Sequence, residues 1–304
     1  NSYGTLGYAV RLRIELEPVK PFVALRHLRC RSIPDLVAEM DRILATSELD
    51  GVRVDYLDGV VFTADESYVC VGVQTDMPGP VSDYTGQRIY YRSIRHEQGV
   101  TDDRLTISDY LWRWDTDWFW CSEAFGVQNP LIRRFWPRRY RRSSFYWTLM
   151  KYEQRFSIGD RIEKLRGRPA RERVVQDVEV PIDRCAEFVT WFLATVPITP
   201  VWLCPLRLRD AEKWPLYPLR PRQAYVNIGF WSTVPIGSTT GQTNRRIERK
   251  VSDLGGHKSL YSDAYYTREE FDERYGAETY STVKERYDPD ARLLDLYAKA
   301  VQRR

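Results

Sequence analysis

The sequence predicts an α+β fold: an antiparallel sheet with helices on one face, followed by a helical C-terminal segment. Three observations predict it. Strand-like alternation recurs through the 304 residues. Two amphipathic helical stretches each follow one such strand. A strand–helix–strand–strand order appears once and comes round again after an aromatic, basic insertion, with no obvious sequence identity between the halves. Such an order gives one sheet face to helices and leaves the other free to cover something.

Residues 1–17 read as a glycine-punctuated turn and a strand, in which Val10, Leu12, Ile14 and Leu16 alternate with Arg11, Arg13, Glu15 and Glu17. Pro18 and Pro21 close it, and Phe22–Cys30 is a second strand. Residues 34–45 read helical, because Ile33, Leu36, Val37, Met40, Ile43 and Leu44 recur at three- and four-residue steps behind Ser32 as N-cap. Strands follow at 52–62 and 68–74, joined by a turn at 63–66. In the second, Val69, Val71 and Val73 face one way, and Tyr68, Cys70, Gly72 and Gln74 the other. Residues 78–170 interrupt this order. It resumes with a strand at 174–180 and a helix at Ile182–Thr195, capped by Asp183 and striped with Cys185, Phe188, Val189, Phe192 and Leu193. Strands at 199–208 and 225–231 complete the second set. The tail, 240–304, is helical with turns: Thr267 and Glu270 have capping-box spacing, and Asp288-Pro289 is expected to stop one helix and start another.

With 43% hydrophobic and 29% charged residues, the composition is that of an ordinary soluble globular protein. A formal charge of +4 is small for this length, so no nucleic-acid partner is expected. Cys30, Cys70, Cys121, Cys185 and Cys204 form no CxxC pair and read as thiols of a reducing compartment. His27, His96 and His257 lie far from any paired ligand, so no metal site is expected. No run approaches the roughly twenty apolar residues that span a bilayer. The expected location is the cytoplasm, with association to a membrane as the alternative. The abrupt start at Asn1-Ser2-Tyr3 on a strand-like pattern reads as a fragment whose N-terminal part is missing.

Four stretches carry candidate chemistry. Gly255-Gly256-His257 lets backbone and imidazole approach a flat or charged group, and a segment dense in hydroxyls follows, including Tyr261, Asp263, Tyr265 and Tyr266. The alternative is that these tyrosines only pack the C-terminal segment. In 225–231, Val226, Ile228 and Phe230 are expected on helices, and Tyr225, Asn227, Gly229 and Trp231 on the other face. That face suits either an apolar substrate wall with one polar fix or a solvated surface. Gly229 is expected to mark a close ligand or backbone approach. The run 112–120, rich in tryptophan around Arg113, reads as a substrate lid or a core helix. In 135–147 arginines interleave with rings, which suits a membrane interface or a solvated basic loop that packs its rings inward.

Five blocks, in this order and at these intervals, carry a family resemblance. They are Gly4-Thr5-Leu6-Gly7; 71–76, with Val71-Gly72-Val73-Gln74; 174–177, leading to Val180-Pro181; Pro200-Val201-Trp202-Leu203-Cys204-Pro205 with Tyr225-Val226-Asn227-Ile228-Gly229; and the tail from Leu260-Tyr261 through Tyr265 to Phe271. The chain resembles FAD-linked oxidoreductases of the vanillyl-alcohol oxidase superfamily, most of all the delta(24)-sterol reductase and Diminuto group. The resemblance implies that 1–18 closes an FAD-binding domain, 19–235 is a cap or substrate domain with an insertion at 78–170, and 236–304 returns to the flavin domain. It further implies that the main FAD-binding half precedes residue 1 as a missing partner. Electrons would come from NADPH through FAD to a C–C bond of a hydrophobic, sterol-like substrate. The residues expected to carry this are His257, Tyr261 and Asp263 as catalytic groups; Gly4, Thr5, Leu6, Gly7, Gly256 and His257 at the cofactor; and Trp202, Tyr225, Asn227, Trp231 and Arg113 at the substrate. Most of the superfamily carries Gly-Gly-Arg where this chain has Gly255-Gly256-His257, and animal sterol reductases have histidines around the arginine matching Arg113. Two other readings stay open: a flavin oxidase or dehydrogenase of an alcohol or sugar lactone, and a non-catalytic lipid-binding module.

Overall fold

In the computed structural model the chain divides into two units: Glu17–Arg171, and Asn1–Leu16 together with Glu172–Arg304. The structure describes residues 2–86, 88–95, 101–156, 159, 161, 164, 167, 169–209, 211–214, 216, 217 and 219–303. His96 lies outside the described residues.

The first unit begins with β1 (Phe22–Cys30) and α1 (Ile33–Thr46). A small hairpin of β2 (Glu48–Leu49) and β3 (Val52–Arg53) precedes β4 (Tyr56–Val61) and β5 (Ser67–Thr75). Then come α2 (Tyr90–Ile94), β6 (Asp102–Thr106), α3 (Ile107–Trp112), α4 (Pro130–Phe135) and α5 (Ser143–Phe156). The strands lie in the order β4-β5-β1-β6, with β5 antiparallel to β4 and to β1, and β6 antiparallel to β1. The spacing that predicts α1 also buries it, through Leu36, Met40 and Ile43, and Ser32 caps it by accepting from the Asp35 amide at 3.2 Å. The other sheet face, with Val23, Leu25, Tyr68 and Cys70, is roofed by Tyr84, Tyr90, Tyr91 and Tyr110 of the insertion.

The 112–120 run is not one helix. α3 ends at Trp112, a 3₁₀ turn occupies Asp115–Asp117, and Trp118, Phe119 and Trp120 all take positive φ (54°, 53°, 72°). Trp118, at 1% exposure, becomes the hub of a small aromatic core with Phe125, Trp136, Phe145 and Tyr146.

The second unit repeats the pattern. β7 (Arg171–Pro181), α6 (Ile182–Thr195), β8 (Val201–Arg207) and β9 (Ala224–Pro235) are followed by α7 (Gln242–Asp253), β10 (His257–Lys258), α8 (Arg268–Tyr275), α9 (Ala277–Tyr287) and α10 (Leu296–Ala300). The order β10-β7-β9-β8 matches β6-β1-β5-β4 position for position. The register reveals an identity that the sequence alone hides. Tyr68-Val69-Cys70-Val71-Gly72 and Tyr225-Val226-Asn227-Ile228-Gly229 share tyrosine, valine and glycine, and each glycine pairs with an aromatic of the preceding strand, Tyr56 or Trp202. Val226, Ile228 and Phe230 are fully buried, and the Phe230 ring lies 4.4 Å from that of Phe192 on α6.

Three local expectations change. Residues 8–20 form no strand; Val10, Leu12, Ile14 and Leu16 alternate correctly but have no partner strand, and stand 72–99% exposed. Asp183 lies in the first turn of α6 and does not cap it, because Pro181 holds the cap position without a side-chain bond. Pro289 starts no helix. The Asp288 carboxylate instead accepts from the amides of Arg292 and Leu293 at 2.9 Å and from Lys284, tying down a loop. The capping box at Thr267 and Glu270 forms with both of its bonds.

Candidate functional site

The Val-rich strand β7 splits its residues between two faces. Val174, Val178 and Val180 are fully buried, and Gln176 on their side donates to Asn244 of α7, whose Nδ2 donates in turn to Glu172 at 2.6 Å. Asp177 and Glu179 project from the opposite face, two residues apart. Glu179 is 1% exposed; one oxygen accepts from Ser259 at 3.0 Å and from Tyr217 at 3.3 Å, and the other has no partner. Burial pushes its carboxyl up to about 7, so it exchanges a proton near neutrality.

Asp177 sits beside Gly229. A Cβ at Gly229 would lie 2.6 Å from Asp177 Oδ1, 2.7 Å from the Trp231 ring and 3.2 Å from the Trp202 ring. The expected close approach is therefore made by three side chains of this unit. Tyr261 lies beside Asp177 and Trp231, close enough for the carboxyl and the phenol to shift each other, and Asp177 Oδ1 has no hydrogen-bond partner. Burial raises the Asp177 carboxyl, and burial beside that carboxyl holds the Tyr261 phenol protonated far above neutrality. The Tyr261 ring is half exposed, so its proton sits at a boundary between interior and solvent.

β10 pairs with β7, His257 opposite Glu179 and Lys258 opposite Val178. His257 is 8% exposed, and burial drops its imidazole to about 3, so it is neutral across the physiological range. Its ring rests 5.0 Å from that of Tyr275 and 5.7 Å from that of Tyr217, and it lines a small cavity with Tyr3, Leu260 and Tyr280. Lys258 points the other way, fully buried, and donates to Glu248 at 2.8 Å and to the Asp263 carbonyl. Burial pulls the lysine pKa down and pushes that of Glu248 up, each opposed by the partner's charge. The Asp263 carboxylate pairs with Arg303 at 3.3 Å, while Tyr261 lies beside Asp177.

The N-terminal block docks in the same unit. Tyr3 accepts from the Leu260 amide at 3.0 Å, Thr5 Oγ1 accepts from Tyr280 at 2.8 Å, and the Thr5 carbonyl from Lys284 at 2.7 Å. Leu6 is partly buried beside them. Gly4 and Gly7 have φ of 76° and 146°. Gly256 has a packing reason for lacking a side chain: a Cβ would lie 2.7 Å from the Glu179 carbonyl.

On the aromatic face Trp202, Asn227 and Trp231 are half-buried, and Asn227 Oδ1 has no partner. Tyr225 is 2% exposed and uses its hydroxyl to accept from the Arg220 amide, which makes it internal support. Arg113 lies in the other unit at 4% exposure, bonded to Asp58 at 3.1 Å and set over the rings of Trp114 (3.5 Å) and Tyr110 (4.0 Å). Its guanidinium is enclosed by core groups of its own unit.

No protein-family model matches the chain. Individual proteins do. It is 25% identical to human Delta(24)-sterol reductase over 317 residues, covering 98% of this chain and 57% of that protein. The chain is similar to the delta(24)-sterol reductases over nearly its whole length. The Delta(24)-sterol reductase homolog of Caenorhabditis elegans is 22% identical over 92% of this chain and 53% of its own. The Arabidopsis thaliana Delta(24)-sterol reductase is 21% identical, over 98% and 57%. The chain thus spans just over half the length of the relatives it matches.

Reading the tail alone finds Tyr261 and His257 but misses Asp177 and Glu179. The available signal was two acids at alternate positions of a strand whose other face is valine. It also misses Lys258 and Glu248, for which no pattern exists at that spacing.

Proposed function

We propose that this chain forms the substrate-side and C-terminal part of an FAD-dependent oxidoreductase that reduces a carbon–carbon double bond in a hydrophobic, sterol-like substrate, with NADPH as electron source. The observation that carries the reading is the convergence of Asp177, Trp231 and Trp202 over Gly229, with Tyr261 beside Asp177. The similarity to sterol reductases supplies the substrate class. Bound FAD, reduced by NADPH, would supply the hydride. Tyr261 holds the proton that the second carbon needs, with the Asp177 carboxyl beside it. Trp202 and Trp231 give an apolar wall on which a flat substrate excludes water.

The residues fit a flavin edge in specific places. The unpartnered oxygens of Asp177 and Glu179 can accept from N–H groups, and Gly7 leaves open space where a side chain would stand. Thr5, Gly256 and His257 would act as supports, since Thr5 and Gly256 are engaged with protein and His257 stays neutral. A lipid-binding module has no use for two buried carboxyls that each keep one oxygen unpartnered, and a sugar site would favour more polar walls.

The first experiment is the visible spectrum of the purified chain before and after FAD addition and desalting, followed by bleaching with NADPH and sterol turnover. Retained flavin and turnover support the reading. Tyr261→Phe is expected to lower turnover about 100-fold or more, with the melting temperature unchanged. Full turnover in that variant overturns it; a colourless chain instead means that the FAD-binding half has to be supplied before turnover is read.

A further inference from the structure

The insertion of the first unit carries a surface that the redox reading does not use. Between Glu123 and Glu153 there is no acidic residue, against six arginines and Lys151. Two of the arginines are internal. Arg133 donates to the Thr116 carbonyl at 3.3 Å, and Arg141 donates to the carbonyls of Arg133 (2.7 Å) and Trp136 (2.6 Å). The other four, Arg134, Arg138, Arg139 and Arg142, are exposed.

The rings divide in the same way. Trp136, Phe145 and Tyr146 pack on Trp118. Leu131, Phe135 and Trp147 instead stand 73%, 81% and 63% exposed, with Ile132 at 45%. Leu131 and Phe135 are one helical turn apart on α4, so they share a face, with Ile132 beside it. One exposed apolar side chain is ordinary; four within seventeen residues that contain no acid are not.

We infer that this hairpin, residues 131–147, docks on the surface of an anionic lipid bilayer. Rings and aliphatic groups at headgroup depth, flanked by cations on phosphate, are the chemistry of in-plane membrane contact. A second copy of the chain would bring four more arginines to the same place and repel. A single-stranded nucleic acid would use the rings for stacking but gain nothing from Leu131 and Ile132. Among the described residues no helix is long and apolar enough to cross a membrane. The inference stands on this surface alone and does not rest on the redox reading.

Flotation with vesicles of phosphatidylcholine, alone and mixed with phosphatidylglycerol, tests it. The chain is expected to float with the mixed vesicles and not with the neutral ones, and to lose binding as salt is raised. Arg138→Gln is expected to weaken binding about fivefold, and Phe135→Ala or Trp147→Ala about tenfold. All three positions are exposed, so melting temperatures should match the unaltered chain. Should a variant fail to fold, the salt and lipid-charge dependence of the unaltered chain decides alone. No flotation overturns the inference, as does equal flotation by the folded variants. So does binding to a single-stranded oligonucleotide at the same salt that competes fully with vesicles and is insensitive to Phe135→Ala, or a dimer in sedimentation that Phe135→Ala dissolves.

Discussion

Two glycines at matching places in the two units have opposite company. Gly72 faces Tyr56 across its strand pair, and a Cβ there would meet Tyr56 Cβ and Val23 Cγ1, both at 3.1 Å. Gly229 faces Trp202 in the same way, but the atom over it is a carboxylate oxygen of Asp177. One backbone plan therefore yields an apolar contact over the glycine in the first unit and a polar one in the second. The difference lies in what stands beside the glycine, a valine or an acid. In the first unit Arg113 pairs with Asp58 and His27 Nε2 meets the Tyr90 hydroxyl at 2.8 Å, away from the glycine, while Asp117 in the insertion keeps both carboxylate oxygens unpartnered. In the second, Asp177 and Glu179 each keep an oxygen unpartnered.

The sharpest way to break this comparison is to remove Arg113. If it is a core group, Arg113→Ala leaves Asp58 buried without its cation and costs about 3–5 kcal/mol. Urea unfolding would show the loss. A variant that folds normally and only binds substrate weakly would return Arg113 to the substrate site.

The next largest effect concerns proton storage. Glu179 and Asp117, one buried acid in each unit, both rise to about 7, chiefly through burial. An acid raised on folding stabilises the fold fully below its unfolded value, and that stability is lost as pH climbs toward its folded value. For Glu179 the loss between about pH 4.5 and pH 7 is about 3 kcal/mol. Glu179→Gln should flatten the decline in melting temperature over that interval and leave the share that Asp117→Asn removes. An unchanged pH profile in both variants would show that the two acids are solvated in the native state.

Gly256→Ala follows. Its Cβ would press on the Glu179 carbonyl, a backbone atom that cannot swing aside, and about 1–3 kcal/mol should be lost. Gly229→Ala should cost less, because the Asp177 and Trp231 atoms it meets are the far ends of side chains. The reverse ranking in denaturant would place the tighter constraint at Gly229. The smallest effect separates the two matching helices: Ser32→Ala should cost about 1 kcal/mol, whereas Asp183→Ala, which removes no cap, should change thermal stability by less.

The sequence was legible wherever a side chain's role depends on its own element. The stripes of α1 and α6, the alternation of β5 and β9, and the Thr267 box depend on local spacing, and each appears as read. Legibility failed where a partner decides the outcome. Val10 to Leu16 alternate like a strand, yet a strand exists only when another pairs with it. Asp288-Pro289 has the letters of a helix start, but the carboxylate is taken by Lys284 and two loop amides. The site shows the same split. Tyr261 and Trp231 were visible as residue types on the right segments, and Gly229 as a point of close approach. That Tyr261 meets Asp177, some eighty positions earlier, depends on where the tail returns along β7, which no local spacing encodes.

The Lys258–Glu248 pair has a consequence for how such chains can diverge. Losing either partner strands the other charge inside the unit, at about 3–5 kcal/mol, while replacing both with apolar groups of similar size is close to neutral. Single steps away from the pair are therefore closed to selection and the double step is open. Lineages that keep this fold are expected to hold the lysine and the glutamate together or to have lost them together, so the two positions should covary across ten residues of sequence.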